Sequence, residues 1–479
     1  MIKHPLEYIV NISQRDTEKI IESALLILRT KGMLVNSRQI CESLAEAGAR
    51  VDFQKEHVIF PEEFVRRFLA MAPAHFTLHA RNPIRNTIIG NRGLAVVPGY
   101  GSAFIADEWG KRRTATMQDF ENFAKLACSS DIIDVTGGLL VEPTDIALNL
   151  RPLEITQSLI RNSDKPFLGS VTGATGARES IEMARIVMGD ISQKPCVVGL
   201  ININSPLCLS PPMADAMVEY VKAGQPVLLT PGILLGMTAP VTIVGALMQA
   251  FAELIACVVT TQVLRPTTPV IIGLGGVASD LRNATTGFGR PEHAIAIQLG
   301  AKIARYLNLP FRCTAAVTGA RKPDCRSGYE RMMTALTAQN AGVHFCLQAA
   351  GILDSINTMS YEQYIIDIEI WSYIKRFAEP VTVNDETLAL NVVELTNEHY
   401  IWHEHTLKHM RNEIHIPSLV DCESYEAWWA SSSKDIISKA SKRAAVLLAT
   451  LKPPPMAPSI ERELDKYVLL RRQALQSAH

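Results

Sequence analysis

Residues 343–348 read VHFCLQ, residues 311–315 read FRCTA and residues 270–274 read VIIGL. Each is a short run of β-branched, aromatic and apolar residues bounded by Gly, Pro or Asn, too short for a helix and suited to a buried strand. Working back along the chain, similar runs stand at 227–231 (VLLTP), 196–201 (CVVGLI), 167–171 (FLGSV), 132–136 (IIDVT) and 94–98 (LAVVP). Amphipathic stretches of helical spacing lie between them, at 117–129, 177–189, 212–223, 291–307 and 328–342. Eight strand–helix units at intervals of roughly 30–40 residues predict an α/β fold, a (β/α)8 TIM barrel of about 250 residues. It occupies 94–375.

Outside the barrel, 1–93 read as an α+β extension, with helices at 17–31, 37–47 and 61–72 and small strands at 51–60 and 76–89. Residues 376–479 read as a mostly helical extension that follows a helix at 361–377. Pro453, Pro454, Pro455 and Pro458 set off a charged final helix at 459–476, which could clamp the barrel or a partner subunit, and a homo-oligomer is expected.

Composition narrows the function. Of 479 residues, 47% are hydrophobic and 20% charged, with Lys+Arg 47 against Asp+Glu 48. That balance suits a well-buried enzyme and offers no electrostatic footprint for nucleic acid or an anionic membrane. The start of the chain carries no secretory pattern, and nine scattered cysteines without a C-x-x-C pair fit a reducing, cytoplasmic setting. Residues 241–264 carry one charge, Glu253, and are long enough to cross a bilayer. Interrupting Thr and Gln residues and the bracketing Pro240 and Pro266 favour a buried barrel helix instead.

A barrel places its active site at the C-terminal ends of its strands. Alternation along 311–315 puts Arg312 and Thr314 on one face, and along 343–348 it predicts His344, Cys346 and Gln348 in the lumen. Asn202 and Asn204 end the fourth run, and Tyr100 and Phe104 follow the first. Barrel interiors are normally Val, Ile and Leu, so these polar groups read as a binding site rather than as core. Arg312 beside His344 would receive a carboxylate, with Asn202, Asn204 and Thr314 as further substrate contacts. Tyr100 and Phe104 could face an alkylammonium through their rings. Gln348, nearer the mouth, is expected to act at the moment of reaction, with His344 deeper. Gly273-Leu-Gly-Gly lacks a dinucleotide pattern and reads as a tight turn. His399, His403, His405 and His409 lie outside the barrel and read as a solvated face, so no metal site is expected.

The loops after these runs resemble the trimethylamine methyltransferase family. The matching stretches are Asn204-Ser-Pro-Leu, Gly236-Met-Thr-Ala-Pro-Val-Thr, Asp280-Leu-Arg-Asn, Gly289-Arg-Pro-Glu, DCRSGYE at 324–330, Gly351-Ile-Leu-Asp-Ser and His403-Glu-His-Thr-Leu. They run in order across nearly the whole chain. The resemblance implies a TIM barrel that passes a methyl group from an amine to the Co(I) corrinoid of a partner protein, with no cofactor bound by this chain itself. Archaeal trimethylamine members carry pyrrolysine, and this sequence has only the twenty standard residues, so it is similar to the non-pyrrolysine branch. Within that branch it looks most similar to members that demethylate glycine betaine to dimethylglycine. Two alternatives stay open on sequence: another substrate such as carnitine, proline betaine or trimethylamine, or a barrel that binds quaternary amines without turning them over.

Overall fold

The computed structural model describes residues 12–395, 399–430 and 435–477. Its central sheet has seven strands, in the order Ala95–Val96, Phe345–Leu347, Phe311–Thr314, Val270–Gly273, Val227–Pro231, Val197–Ile203 and Phe167–Gly169. Every neighbouring pair is parallel, and helices such as Gly173–Met188, Pro211–Lys222, Pro291–Tyr306 and Cys325–Ala341 return the chain between strands. The sheet curls into a barrel with the helices outside.

The run at 132–136, expected as a strand, is not one. It fills the gap between the two edge strands in another way. Asp134 N–H donates to the Val96 carbonyl at 2.9 Å, but the Val96 N–H donates to the Asp134 carboxylate at 2.8 Å. On the other side Thr136 N–H donates to Pro166 O and Leu168 N–H to Gly137 O. A side-chain acceptor has replaced a main-chain one, and Pro166 has no N–H to extend a ladder. Burial raises the Asp134 carboxyl above its ordinary range.

The barrel interior is a separate apolar cluster containing Ala95, Val97, Val135, Leu168, Val198, Leu200, Leu228, Ile271, Phe345 and Leu347. Phe76, Leu78 and Ile89 belong to it too, so the antiparallel hairpin of Phe76–Leu78 and Thr87–Ile89 plugs the N-terminal end. The second cluster lies between strands and helices and holds Val96, Cys313 and Cys346. Cys346 therefore faces the helices, contrary to the alternation expected for 343–348, while Phe345 and Leu347 fill the lumen.

The N-terminal extension supports the loops that make the site. Met33–Val35 pairs in parallel with Cys208–Leu209 and antiparallel with His57–Ile59. The apolar helix Ile243–Leu264 is packed into the core, against the N-terminal helices and the barrel sheet. Its one charge, Glu253, accepts from Ser205 Oγ at 2.6 Å and Leu207 N–H at 2.9 Å, which fixes the loop after the fourth-run strand. The final helix, Pro458–Ser477, clamps the outer barrel helices through Arg472–Glu154 and Arg471–Glu179.

Candidate active site

A cavity of about 550 Å3 opens at the C-terminal ends of the strands, within the usual range for small-molecule sites. Its floor is Leu200 and Leu347, the top of the apolar interior. Above this floor sits Arg312, with 3% of its surface exposed. The strand Phe311–Thr314 delivers it, and Gly273 on the next strand makes room: a Cβ there would stand 2.6 Å from that of Arg312. Nη1 donates to Thr230 Oγ1 at 3.3 Å and Nη2 to Gln348 Oε1 at 3.5 Å, both long contacts, and Nε has no partner. No carboxylate pairs with this guanidinium among the described residues. Burial lowers its pKa to about 10, so it remains a cation at neutral pH.

Gln348 reaches the cavity by a route that alternation could not show. It follows the strand in the left-handed region, at φ 67°, and this re-aims its side chain inward although Leu347 before it also points in. Its Oε1 accepts from Thr314 Oγ1 at 2.8 Å and its Nε2 donates to the Tyr100 carbonyl at 3.3 Å. Thr314 thus acts on Gln348 and does not itself line the cavity. Tyr100 does line it, and burial pushes its phenol up to about 12. Asn202 and Asn204 face the opening, and neither side-chain amide is bonded to the described protein.

Two of the expected residues lie elsewhere. His344 stands at the N-terminal end of its strand, where Phe311 N–H donates to Nδ1 at 3.0 Å and Nε2 lies 3.0 Å from the Asn91 carbonyl. It is a neutral staple at the bottom of the barrel, far from the strands' C-terminal ends. Large apolar side chains have taken the lumen positions and turned His344 and Cys346 away. Phe104 lies in a small sheet at the rim, and Arg112 covers its ring at 4.4 Å, so its face is occupied.

The structure adds Phe288, Thr230, Leu234 and Ile356 to the lining. Gly276 accommodates the Phe288 ring, since a Cβ there would meet it at 2.3 Å. The Gly-rich segment after Val270–Gly273 is therefore a space-maker for Arg312 and Phe288. Spacing in the sequence offered that glycine cluster as the only signal. The motif residues Asp280 and Arg290 pair at 2.7 Å, and Glu330 accepts from Thr318 and Arg326, so these matches stiffen the mouth loops rather than touch the cavity.

A TIM barrel with an open, largely apolar cavity that holds a buried cation at its C-terminal face belongs to the class of small-molecule barrel enzymes. A sequence model of the family described as Trimethylamine methyltransferase (MTTB) matches residues 1–476. The chain belongs to that family and is a methyltransferase. It is 36% identical over 465 residues to the glycine betaine methyltransferase of Desulfitobacterium hafniense strain Y51, covering 96% of each chain. It is 28% identical over 385 residues to the proline betaine:corrinoid methyltransferase of Eubacterium limosum, covering 78% of this chain and 79% of that one. Among solved structures, the monomethylamine methyltransferase of Methanosarcina barkeri shares the fold, with TM-score 0.50, 11% identity and coverage of 92% and 94%.

Proposed function

We propose that the chain binds glycine betaine, with Arg312 on its carboxylate, and releases one methyl group of the quaternary ammonium to a corrinoid protein. The observation that carries this reading is the buried Arg312 without an acidic partner. A desolvated cation costs several kcal/mol unless an anion compensates it, and this one lies beside the cavity. A small carboxylate would supply that anion.

The rest of the lining suits the other end of the molecule. Apart from Arg312 and Tyr100 it holds no titratable side chain, so the described cavity offers no general acid or base of ordinary pKa. A quaternary ammonium needs neither. When its methyl carbon is attacked in line, the C–N bond breaks, the electron pair stays on nitrogen and dimethylglycine leaves with a neutral amine. A reduced corrinoid on a partner protein would supply the Co(I) nucleophile. This chain's residues bind and aim. Arg312 holds the carboxylate low in the cavity, Tyr100 and Phe288 offer aromatic surface to the cation, and Gln348 fixes the wall between them. Ile203, Ile233, Leu234 and Ile356 exclude water around the methyl.

The cavity volume also admits a bulkier betaine, so the test compares substrates. Purified protein, a reduced cognate corrinoid protein and glycine betaine should give methylcobalamin absorbance and dimethylglycine, with proline betaine slower and trimethylamine inactive. Turnover of trimethylamine at a rate matching betaine would refute the carboxylate anchor.

A further inference from the structure

The Gly351-Ile-Leu-Asp-Ser stretch opens a hairpin, Ile352–Leu353 against Thr358–Met359, whose turn reaches the cavity through Ile356. Three successive residues of that turn stand in the left-handed region: Asp354 at φ 50°, Ser355 at 51° and Ile356 at 74°. Glycine enters that region freely, and a β-branched side chain is the least suited to it. Such strain persists where the surroundings over-determine the backbone. Here they do. Asp354 N–H donates to the Ala320 carbonyl at 2.7 Å and Ser355 N–H to the Thr318 carbonyl at 3.1 Å, so the loop after Phe311–Thr314 holds one side. On the other side Ser102 Oγ donates to the Ile356 carbonyl at 2.8 Å, and Ala103 N–H donates to the Asn357 carbonyl at 3.1 Å. The Asp354 carboxylate pairs with Arg112 at 3.3 Å and Arg321 at 3.4 Å. At the base, Gly351 N–H donates at 2.7 Å to Asp367, itself in a fully buried pair with Arg331. The turn is a fixed wall.

That wall keeps one side chain in one place. Ser102, which bonds the Ile356 carbonyl, is two residues past Tyr100. Ser355 Oγ donates at 3.4 Å to the carbonyl of Thr286, two residues before Phe288. Ile356 therefore stands between the segments that carry the two aromatic rings, at the end proposed for the ammonium. Resting on that betaine reading, with Arg312 on the carboxylate, we propose that Ile356 is the specificity-determining residue of the site. Its branched side chain leaves room for a trimethylammonium group and turns away a betaine whose nitrogen lies in a ring. The cavity of about 550 Å3 admits either molecule, so discrimination comes from local shape rather than total volume. Glycine betaine and proline betaine both carry the carboxylate one carbon from nitrogen, so Arg312 serves them alike. They differ by ring methylenes at the ammonium end, and one methylene in an apolar pocket changes selectivity roughly 10- to 200-fold.

Calorimetry on the full chain compares Kd for glycine betaine and proline betaine in wild type, Ile356→Val, Ile356→Ala and Ile356→Gly. Wild type should bind glycine betaine at least ~10-fold more tightly. The Ala and Gly variants should erase that preference by tightening proline betaine, and Val, one methylene smaller, should move it partway. Glycine suits the left-handed turn, which guards that variant against misfolding; if both truncations fail to fold, the shift in Ile356→Val decides. A wild type that binds both betaines equally, or a ratio unmoved in the folded variants while Arg312→Leu still weakens both ligands, overturns the role of Ile356 and leaves the betaine reading standing. A wild type that binds neither betaine refutes that reading and the role of Ile356 with it.

Discussion

The Thr314 hydroxyl donates to the Gln348 side-chain carbonyl at 2.8 Å, tying the ends of two adjacent parallel strands together above the apolar interior. This bond and the one from Gln348 Nε2 to the Tyr100 carbonyl leave the amide one orientation, with its oxygen toward Thr314 and Arg312. The wall beside the proposed carboxylate site is thereby set before a ligand arrives.

Replacing Arg312 with Leu should weaken glycine betaine binding by about 2–3 kcal/mol, the loss of a charged hydrogen-bond partner. By calorimetry that is a rise in Kd of roughly 30- to 150-fold. The unliganded variant should melt no lower than wild type, because it removes an unpaired buried charge. Intact betaine affinity in a folded variant would place the anchor elsewhere.

Thr314→Val removes the donor that orients Gln348 and should cost about 1 kcal/mol of stability. Its expected kinetic signature is a lower kcat with little change in KM. Gln348→Gly and Gln348→Ala both delete the amide, but only Ala meets the left-handed backbone. The Ala variant should therefore be less stable than the Gly variant by about 1 kcal/mol, measured by denaturant unfolding.

His344→Ala should lower stability by about 1–3 kcal/mol, because it strands the Phe311 N–H, yet leave KM for betaine unchanged. A selective rise in KM without loss of stability would return His344 to the binding site.

Acid should unfold the protein through its neutral histidines. His293 is fully buried, with Nε2 2.7 Å from the Thr314 carbonyl, and burial lowers its pKa to about 4; His344 is lowered by the same cause. A depressed pKa contributes stability that is present above the unfolded value of about 6.5 and is lost as pH falls through the folded value. For His293 this is on the order of 3 kcal/mol between pH 6.5 and about 4. At the other end, betaine affinity should stay flat from pH 7 to about 9, because Arg312 remains a cation there even though burial lowers its pKa to about 10. A bell-shaped kcat profile centred near neutrality would instead reveal an acid or base in the cavity.

Strand and helix positions were readable because barrel strands buried on both faces are continuous apolar runs, and Val227–Pro231 and Met117–Ser129 lie where their runs predict. Orientation was harder. On 311–315, Arg312 marked the inner face and the alternation followed. On 343–348 the polar residues suggested the wrong face, since His344 is satisfied by backbone at the barrel floor and Gln348 turns inward through its dihedral rather than its parity. The run at 132–136 reads as a strand, and only the three-dimensional placement of the Asp134 carboxylate reveals otherwise. Phe288 was invisible because it comes from a loop and is recruited by a glycine that sequence spacing marks as a turn.

That Asp134 substitution has a mechanical meaning. A cylinder fully laced by main-chain bonds has no preferred line of rupture, but this one is a curled ribbon fastened along one edge by a carboxylate and a few loop amides. Thermal breathing should concentrate along that fastening, with the Val96, Thr136 and Leu168 amides exchanging ahead of those in the other staves. The zip lies opposite the Val270–Gly273 and Val227–Pro231 strands in the circular order, so a momentary opening there leaves the bed of Arg312 and Phe288 undisturbed.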